Sequence, residues 1–335
     1  MAFDLSNFMQ TLAELSISSD EAEFLKHLAN SAGTYPDFAK VLEHNPEVEA
    51  NLLEVTNRTF GSRLEETVTT PSVALSMLGF IPARNYLAAS IIRKSHKLTP
   101  WDDSIKETLQ FALEGEAMGG PYAPAFFAAG LVYDFVLYAL KKTTKGGTVQ
   151  SNPKFVSDIW AHNRQVCNTV RNLARLLFPE KDLEKEVCFT ALLHDIGKLI
   201  YCFNDEEYTL LQTDIGVKVR SCFPEQEWSK EVTHFGLSHD VVGHMAIWQL
   251  GFIPETSWTI LYHHQPFLAA RRGETAQLHA TLIWLADQVV RFREYHRTAK
   301  LTDRMLAGWY RVLRPFPTSL NQDQFKEEIS RLGAR

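Results

Sequence analysis

The chain has 335 residues, 45% of them hydrophobic and 22% charged, which is the balance of a globular protein with room for two domains. A net charge of −6 supplies no overall positive field for nucleic acid or anionic lipid. No Cys-x-x-Cys occurs among Cys167, Cys188, Cys202 and Cys222, so the cysteines read as reduced thiols. The start carries Asp4 and Glu14 and no basic residue before Ser19, so it does not read as a signal peptide, and a cytoplasmic location is expected.

Helical spacing runs the length of the chain. Phe8, Leu12 and Leu15 form one apolar stripe, and Ser19-Asp20-Glu21 starts another helix through Phe24, Leu25 and Leu28. Gly33-Thr34-Tyr35-Pro36 and Asn45-Pro46 break the pattern. A helix is predicted over 48–60, in which Asn57 reads as a polar group bonded to a neighbouring loop. Thr70-Pro71 opens another that leads to Gly79. Gly119-Gly120-Pro121 is a strong break, after which 122–140 is apolar enough to raise the question of a membrane span. Asp134 near its middle and Pro124 near its start favour a buried core helix, which is equally suited to an oligomer contact. Lys141 to Gly147 reads as an exposed loop.

From Ser151 onward polar residues punctuate the apolar pattern. Asp158 and His162 lie four apart and share a helix face. A helix runs from Leu183 into Leu192-Leu193-His194-Asp195-Ile196-Gly197-Lys198, an imidazole and a carboxylate side by side behind an apolar run. Helices are also predicted near 215–220, 228–235 and 239–251, from Pro254 to His263-His264, and over 278–292 with Asp287. The tail from Leu301 is helical and broken at Pro315 and Pro317. No strand alternation or hairpin turn occurs, so an all-α fold is expected. The expected divisions are an N-terminal lobe (1–96), an inserted hairpin and linker (97–150), a C-terminal bundle (151–299) and a tail (300–335).

Charged groups inside apolar segments are expensive unless they pair or bind a metal. His162, His194-Asp195, His239, His263-His264 and Asp287 fall on separate predicted helices, and converging helices are how bundle cores build metal sites. His244, five residues after His239, points away from that face. Trp160, Trp248, Trp258 and Trp284 read as core.

These segments resemble the HD superfamily of metal-dependent phosphohydrolases, and within it the HDOD family of bacterial signalling domains. Ala191 to Ile200 resembles the central motif, Phe235-Gly-Leu-Ser-His239 with Gly243 the second histidine segment, and Tyr262-His-His-Gln-Pro266 the paired histidines. Asn45-Pro46, Thr56-Asn57 and Met77-Leu78-Gly79 are similar to the helices that precede them. The likeness spans roughly residues 35 to 292. It implies a helical HD-type bundle holding one or two divalent ions (Fe, Mn, Ni or Zn). One ion would take His162, His194, Asp195 and Asp287; the other would share Asp195 with His239 and His263 or His264. It also implies catalytic roles for Asp195 and for Lys198, one helical turn past His194, and an extra carboxylate at Asp158. The Gly-Tyr-Pro that follows the paired histidines in cyclic di-GMP phosphodiesterases is replaced by Gln265-Pro266-Phe267. Two main readings stay open: a regulatory module whose partner is a protein, and a phosphohydrolase acting on a phosphate-containing small molecule. A di-iron oxygenase is a third that no residue favours. Neither nucleic acid nor membrane is expected as a partner, and homo-oligomerisation is left open.

Overall fold

A computed structural model describes residue 10 and residues 35–60, 66–93, 103–143, 153–202, 229–233, 236–295 and 301–333. The helices expected before residue 34 and at 215–220 lie outside the described residues, as do Gly33-Thr34, Lys145 to Gly147 and Cys222. Among the described residues every regular element is helical. They fall into two compact units.

The first unit contains α1 (Tyr35–Glu43), α2 (Pro46–Phe60), α3 (Pro71–Leu78), α4 (Phe80–Arg93), α5 (Asp103–Thr108), α6 (Gln110–Gly119), a 3-10 turn (Gly120–Tyr122) and α7 (Ala123–Thr143). Asn57 on α2 bonds Val68 in both directions, Nδ2 donating to its carbonyl at 2.9 Å and Oδ1 accepting from its N–H at 2.8 Å, as its place in the sequence suggested. Helix α4 was not anticipated; Gly79, at φ +81°, turns the chain by 118° between α3 and α4.

Gln110–Lys141 is by length and composition apolar enough to cross a membrane, yet 78% of its most apolar window is buried within the protein. Pro124 occupies the second position of α7, where no intrahelical N–H bond is needed, so it starts the helix instead of kinking it. Helix α7 continues to Thr143, so Lys141 and Lys142 end a helix and do not belong to a loop. Gly130 lets α7 lie against the start of α6, since a Cβ there would sit 2.2 Å from the Phe111 carbonyl oxygen. Asp134, one turn on, then accepts hydrogen bonds from Phe111 N and Ala112 N, both at 3.0 Å. It caps α6 from another helix, because Leu109 at the N-cap has no side-chain acceptor. Burial pushes the Asp134 carboxyl up and the two N–H groups pull it back. Asp134→Ala is expected to cost about 2 kcal/mol, the loss of a cap together with buried donors left unpaired. Urea unfolding measures it, and an unchanged midpoint would contradict the cap.

The second unit contains α8 (Pro153–Leu177), α9 (Leu183–Leu193), α10 (Ile196–Cys202), helical residues 229–233, α11 (His239–Gln249), α12 (Pro254–Tyr262), a 3-10 helix (Pro266–Arg272), α13 (Glu274–Tyr295), α14 (Asp303–Val312) and α15 (Gln322–Gly333). Helix α8 buries a continuous stripe of Val156, Ile159, Trp160, Asn163, Val166, Cys167, Val170, Leu173 and Leu177 at three- and four-residue spacing. That stripe packs on α9 and α13, while α11 packs on α10 and α12. The tail helices belong to this unit: Ser319 bonds the carbonyls of Leu176 and Leu177 at the end of α8, and Phe316 packs edge-on against Phe178.

Of the tryptophans read as core, Trp160 is buried. Trp248 is half exposed and departs from that expectation, because the outer face of α11 has no described helix over it. It sits beside Trp258. His244 does point away from His239: its Nδ1 meets Ser257 Oγ at 2.6 Å and its ring stacks on Trp258.

Candidate metal centre

The chemistry-bearing residues meet where helix ends converge on the middles of α8 and α13. Asn163 on α8 donates from Nδ2 to the Leu192 carbonyl at 2.9 Å, tying the helix that carries His162 to the last turn of α9. His194 and Asp195 occupy the turn between α9 and α10, and His263 and His264 the turn after α12, so these pairs sit at helix ends and not on helix bodies as the periodicity suggested.

Gly197 has a steric reason to be glycine. A Cβ there would lie 1.9 Å from the His239 carbonyl oxygen and 2.8 Å from Gly243 N. Without it, α10 and α11 come close enough for His239 Nε2 to approach Asp195 Oδ1 to 3.1 Å.

Asp195 is the hub. Its Oδ1 faces His239 and also His263 Nε2 at 3.7 Å, while its Oδ2 faces His194 Nε2 at 3.6 Å and His162 Nε2 at 3.9 Å. Two donor groups result, each with ligand atoms within 4.8 Å of one another: Asp195, His239, His263 and His264, and His162, His194 and Asp195. His264 Nε2 lies 2.9 Å from His239 Nε2. Asp287 approaches His162 Nε2 at 3.0 Å, but both its oxygens also accept from Arg291 Nε, at 2.9 and 2.8 Å. Asp195 Oδ2 likewise accepts from Lys198 Nζ at 2.7 Å. Asp158 is exposed and stands outside both donor groups.

The remaining imidazole contacts determine which nitrogen faces inward. His194 Nδ1 and His263 Nδ1 donate to the carbonyls of Ala191 and Ile260, at 2.8 and 2.6 Å. A carbonyl can only accept, so in the neutral rings the Nε2 lone pairs point into the centre. Both Nε2 atoms, together with His264 Nδ1, are buried without a hydrogen-bond partner. Lone pairs converging on a carboxylate in a buried site repel unless a cation stands among them, and the donor set therefore fits a metal ion.

Electrostatics divide the histidines. Burial holds His194 down at about 3, so it stays neutral. Burial also disfavours charge on His162 and His239, but Asp287 and Glu294 raise the first to about 9, and Glu231 and Asp195 raise the second to about 10. Asp195 lies well below the usual carboxylate range despite its burial, held there by Lys198 and the imidazoles.

A cleft of about 300 Å³ opens onto this cluster, lined by His162, Asp195, Lys198 and Arg291, with Asp158 and Glu294 also on its wall. Three of the contributing residues were not singled out from the sequence. Arg291 and Glu294 follow Asp287 by four and seven residues on the same helix face, a spacing that could have found them. Glu231, which bonds His239 Nδ1, has no such spacing signal.

Residues 129–266 match the HDOD domain family. This chain carries an HDOD domain. The match takes in the His-Asp turn, His239 and the paired histidines, and begins inside the segment read as an insertion. Two solved structures are similar to the chain. One is an HDOD domain protein of unknown function from Geobacter sulfurreducens, at 16% identity and a TM-score of 0.48 over 99% of this chain and 97% of that one. The other, a candidate phosphohydrolase from Shewanella amazonensis, has 15% identity and a TM-score of 0.43 over 98% and 96%. No curated protein matches the chain.

Proposed function

We propose that this HDOD protein is a signalling protein whose C-terminal unit binds two divalent ions, drawn from Fe, Mn, Ni and Zn, across Asp195. The supporting observation is the pair of donor groups that share Asp195, buried except for the half-buried His162, with the lone pairs of His194 and His263 turned inward by carbonyl anchors on the opposite ring nitrogens. His162, His194 and Asp195 would hold one ion, with Asp287 alongside His162; Asp195, His239, His263 and His264 would hold the other. Imidazole with carboxylate suits these metals, and a bridging carboxylate spans ions about 4 Å apart. In the signalling reading the metal orders the unit for a protein partner. Adding Mn²⁺ to chelator-treated protein is then expected to raise Tm, since a ligand at a hundred times its Kd contributes about 2.7 kcal/mol. An unchanged Tm would count against ion binding.

The cleft favours a second reading, hydrolysis of a phosphate ester. When bound, such ions would acidify a water and neutralise charge on a phosphoryl oxygen. The chain's own part is to present Lys198 and Arg291 from the cleft wall, where both cations can meet phosphate oxygens without leaving Asp195 and Asp287. Apolar Phe155 and Ile159 line the same space and would pack against the ester group. Turnover of a phosphodiester, lost with chelator and in Asp195→Ala, supports this reading. A rate that survives both removes it. Partner binding that survives Asp195→Ala, with no turnover in the native chain, supports a purely regulatory role.

A further inference from the structure

We propose that Glu231 is a positioning residue that sets the affinity of one of the two ions, the one on the His239 side of Asp195. The inference rests on the two-ion reading above. His194 and His263 each anchor Nδ1 on a carbonyl three residues back, a contact that their own helices supply. His239 is the first residue of α11, so no preceding helical turn offers it such a carbonyl. Its anchor comes from residues 229–233 instead: Glu231 Oε2 accepts from His239 Nδ1 at 2.6 Å and from the His239 backbone N–H at 2.8 Å.

One oxygen thus fixes both the ring and the backbone of His239. Glu231 has 0% exposure, and a buried carboxylate carries a desolvation cost that a carbonyl or a hydroxyl would avoid. What a carboxylate adds is negative charge on the far side of the imidazole, which makes Nε2 a stronger electron donor. That Nε2 lies 3.1 Å from Asp195 Oδ1 and 2.9 Å from His264 Nε2, at the centre of the four-residue donor group. Among the described residues the hydrogen bonds of Glu231 reach His239 and not His162 or His194, so the larger effect is expected on one ion.

Glu231→Gln keeps one acceptor oxygen for both donors of His239 while removing the negative charge. The full chain, stripped of metal, is titrated with Co²⁺ and followed by visible absorption and bound-metal analysis. The native chain is expected to take two ions. The variant is expected to take the first with native affinity and the second about 10- to 100-fold more weakly. A role in folding alone would lower the melting temperature and weaken both ions together, and that pattern overturns the proposal. Two ions bound with native affinity by Glu231→Gln overturn it as well, while leaving the two-ion reading intact. A native chain that takes up no Co²⁺ overturns both. If the glutamine variant fails to fold, Glu231→Asp keeps the charge at shorter reach, and the same ion is expected to weaken by a smaller factor. Native affinity for both ions in that variant counts against the assignment.

Discussion

Gly197→Ala is expected to destabilise the C-terminal unit by about 3 kcal/mol, near the upper end of overpacking costs, and to impair metal uptake. The added Cβ would stand 1.9 Å from the His239 carbonyl oxygen and 2.8 Å from both His239 C and Gly243 N. All three are backbone atoms, so no side chain can rotate away, and α10 must retreat from α11. That retreat also separates Asp195 from His239, so fold and site fail together; displacements on the order of 1 Å are enough to disable a constellation of this kind. Gly308→Ala is the matching control. Gly308 is exposed within α14 and a Cβ there meets nothing within 4 Å, so alanine is expected to add about 0.5–1 kcal/mol. Urea unfolding of the two variants measures the contrast, and equal midpoints would contradict the packing described for α10 and α11.

Asp195→Ala is expected to abolish binding of both ions, where loss of any single histidine should spare one. The reason is geometric: Oδ1 belongs to one donor group and Oδ2 faces the other. The same substitution takes the carboxylate from Lys198 Nζ, which is 6% exposed by residue and 2.7 Å away. Breaking a buried ion pair from one side costs about 3 kcal/mol or more, because the other charge stays behind. Asp195→Ala combined with Lys198→Met removes both charges, and the double variant is expected to regain part of that stability without regaining metal. Thermal melts and bound-metal analysis separate the two effects. One ion retained in Asp195→Ala would show that the carboxylate is not shared.

The sequence made the fold class legible because helix periodicity is long-ranged and strong: the stripe from Val156 to Leu177 and the apolar run before His194 point to the same interior. Helix α4 was missed because Pro82 interrupts its start and because it is buried nearly all round, Arg84 and Ser90 included, which leaves no clear polar face. The residue types of the cluster were legible too, since His194-Asp195 and His263-His264 are conspicuous in apolar surroundings. Their placement in turns was not, because apolar spacing continues past the last hydrogen-bonded residue of α9 and α12. Glu231 escaped notice since its role depends on a fold-back onto the start of α11, and an isolated acidic residue carries no local sign of burial. Arg291 and Glu294 were legible in principle from their spacing to Asp287. That Arg291 would occupy both Asp287 oxygens follows only from the packed side chains.

Elemental analysis of the full chain, purified without chelator, tests the shared-carboxylate centre most directly. Close to two ions of Fe, Mn, Ni or Zn per chain is the expected result, falling to none in Asp195→Ala. A native chain that holds no metal even after reconstitution with each of these ions would contradict it, and would leave the inward-facing imidazoles to be explained by hydrogen bonding alone.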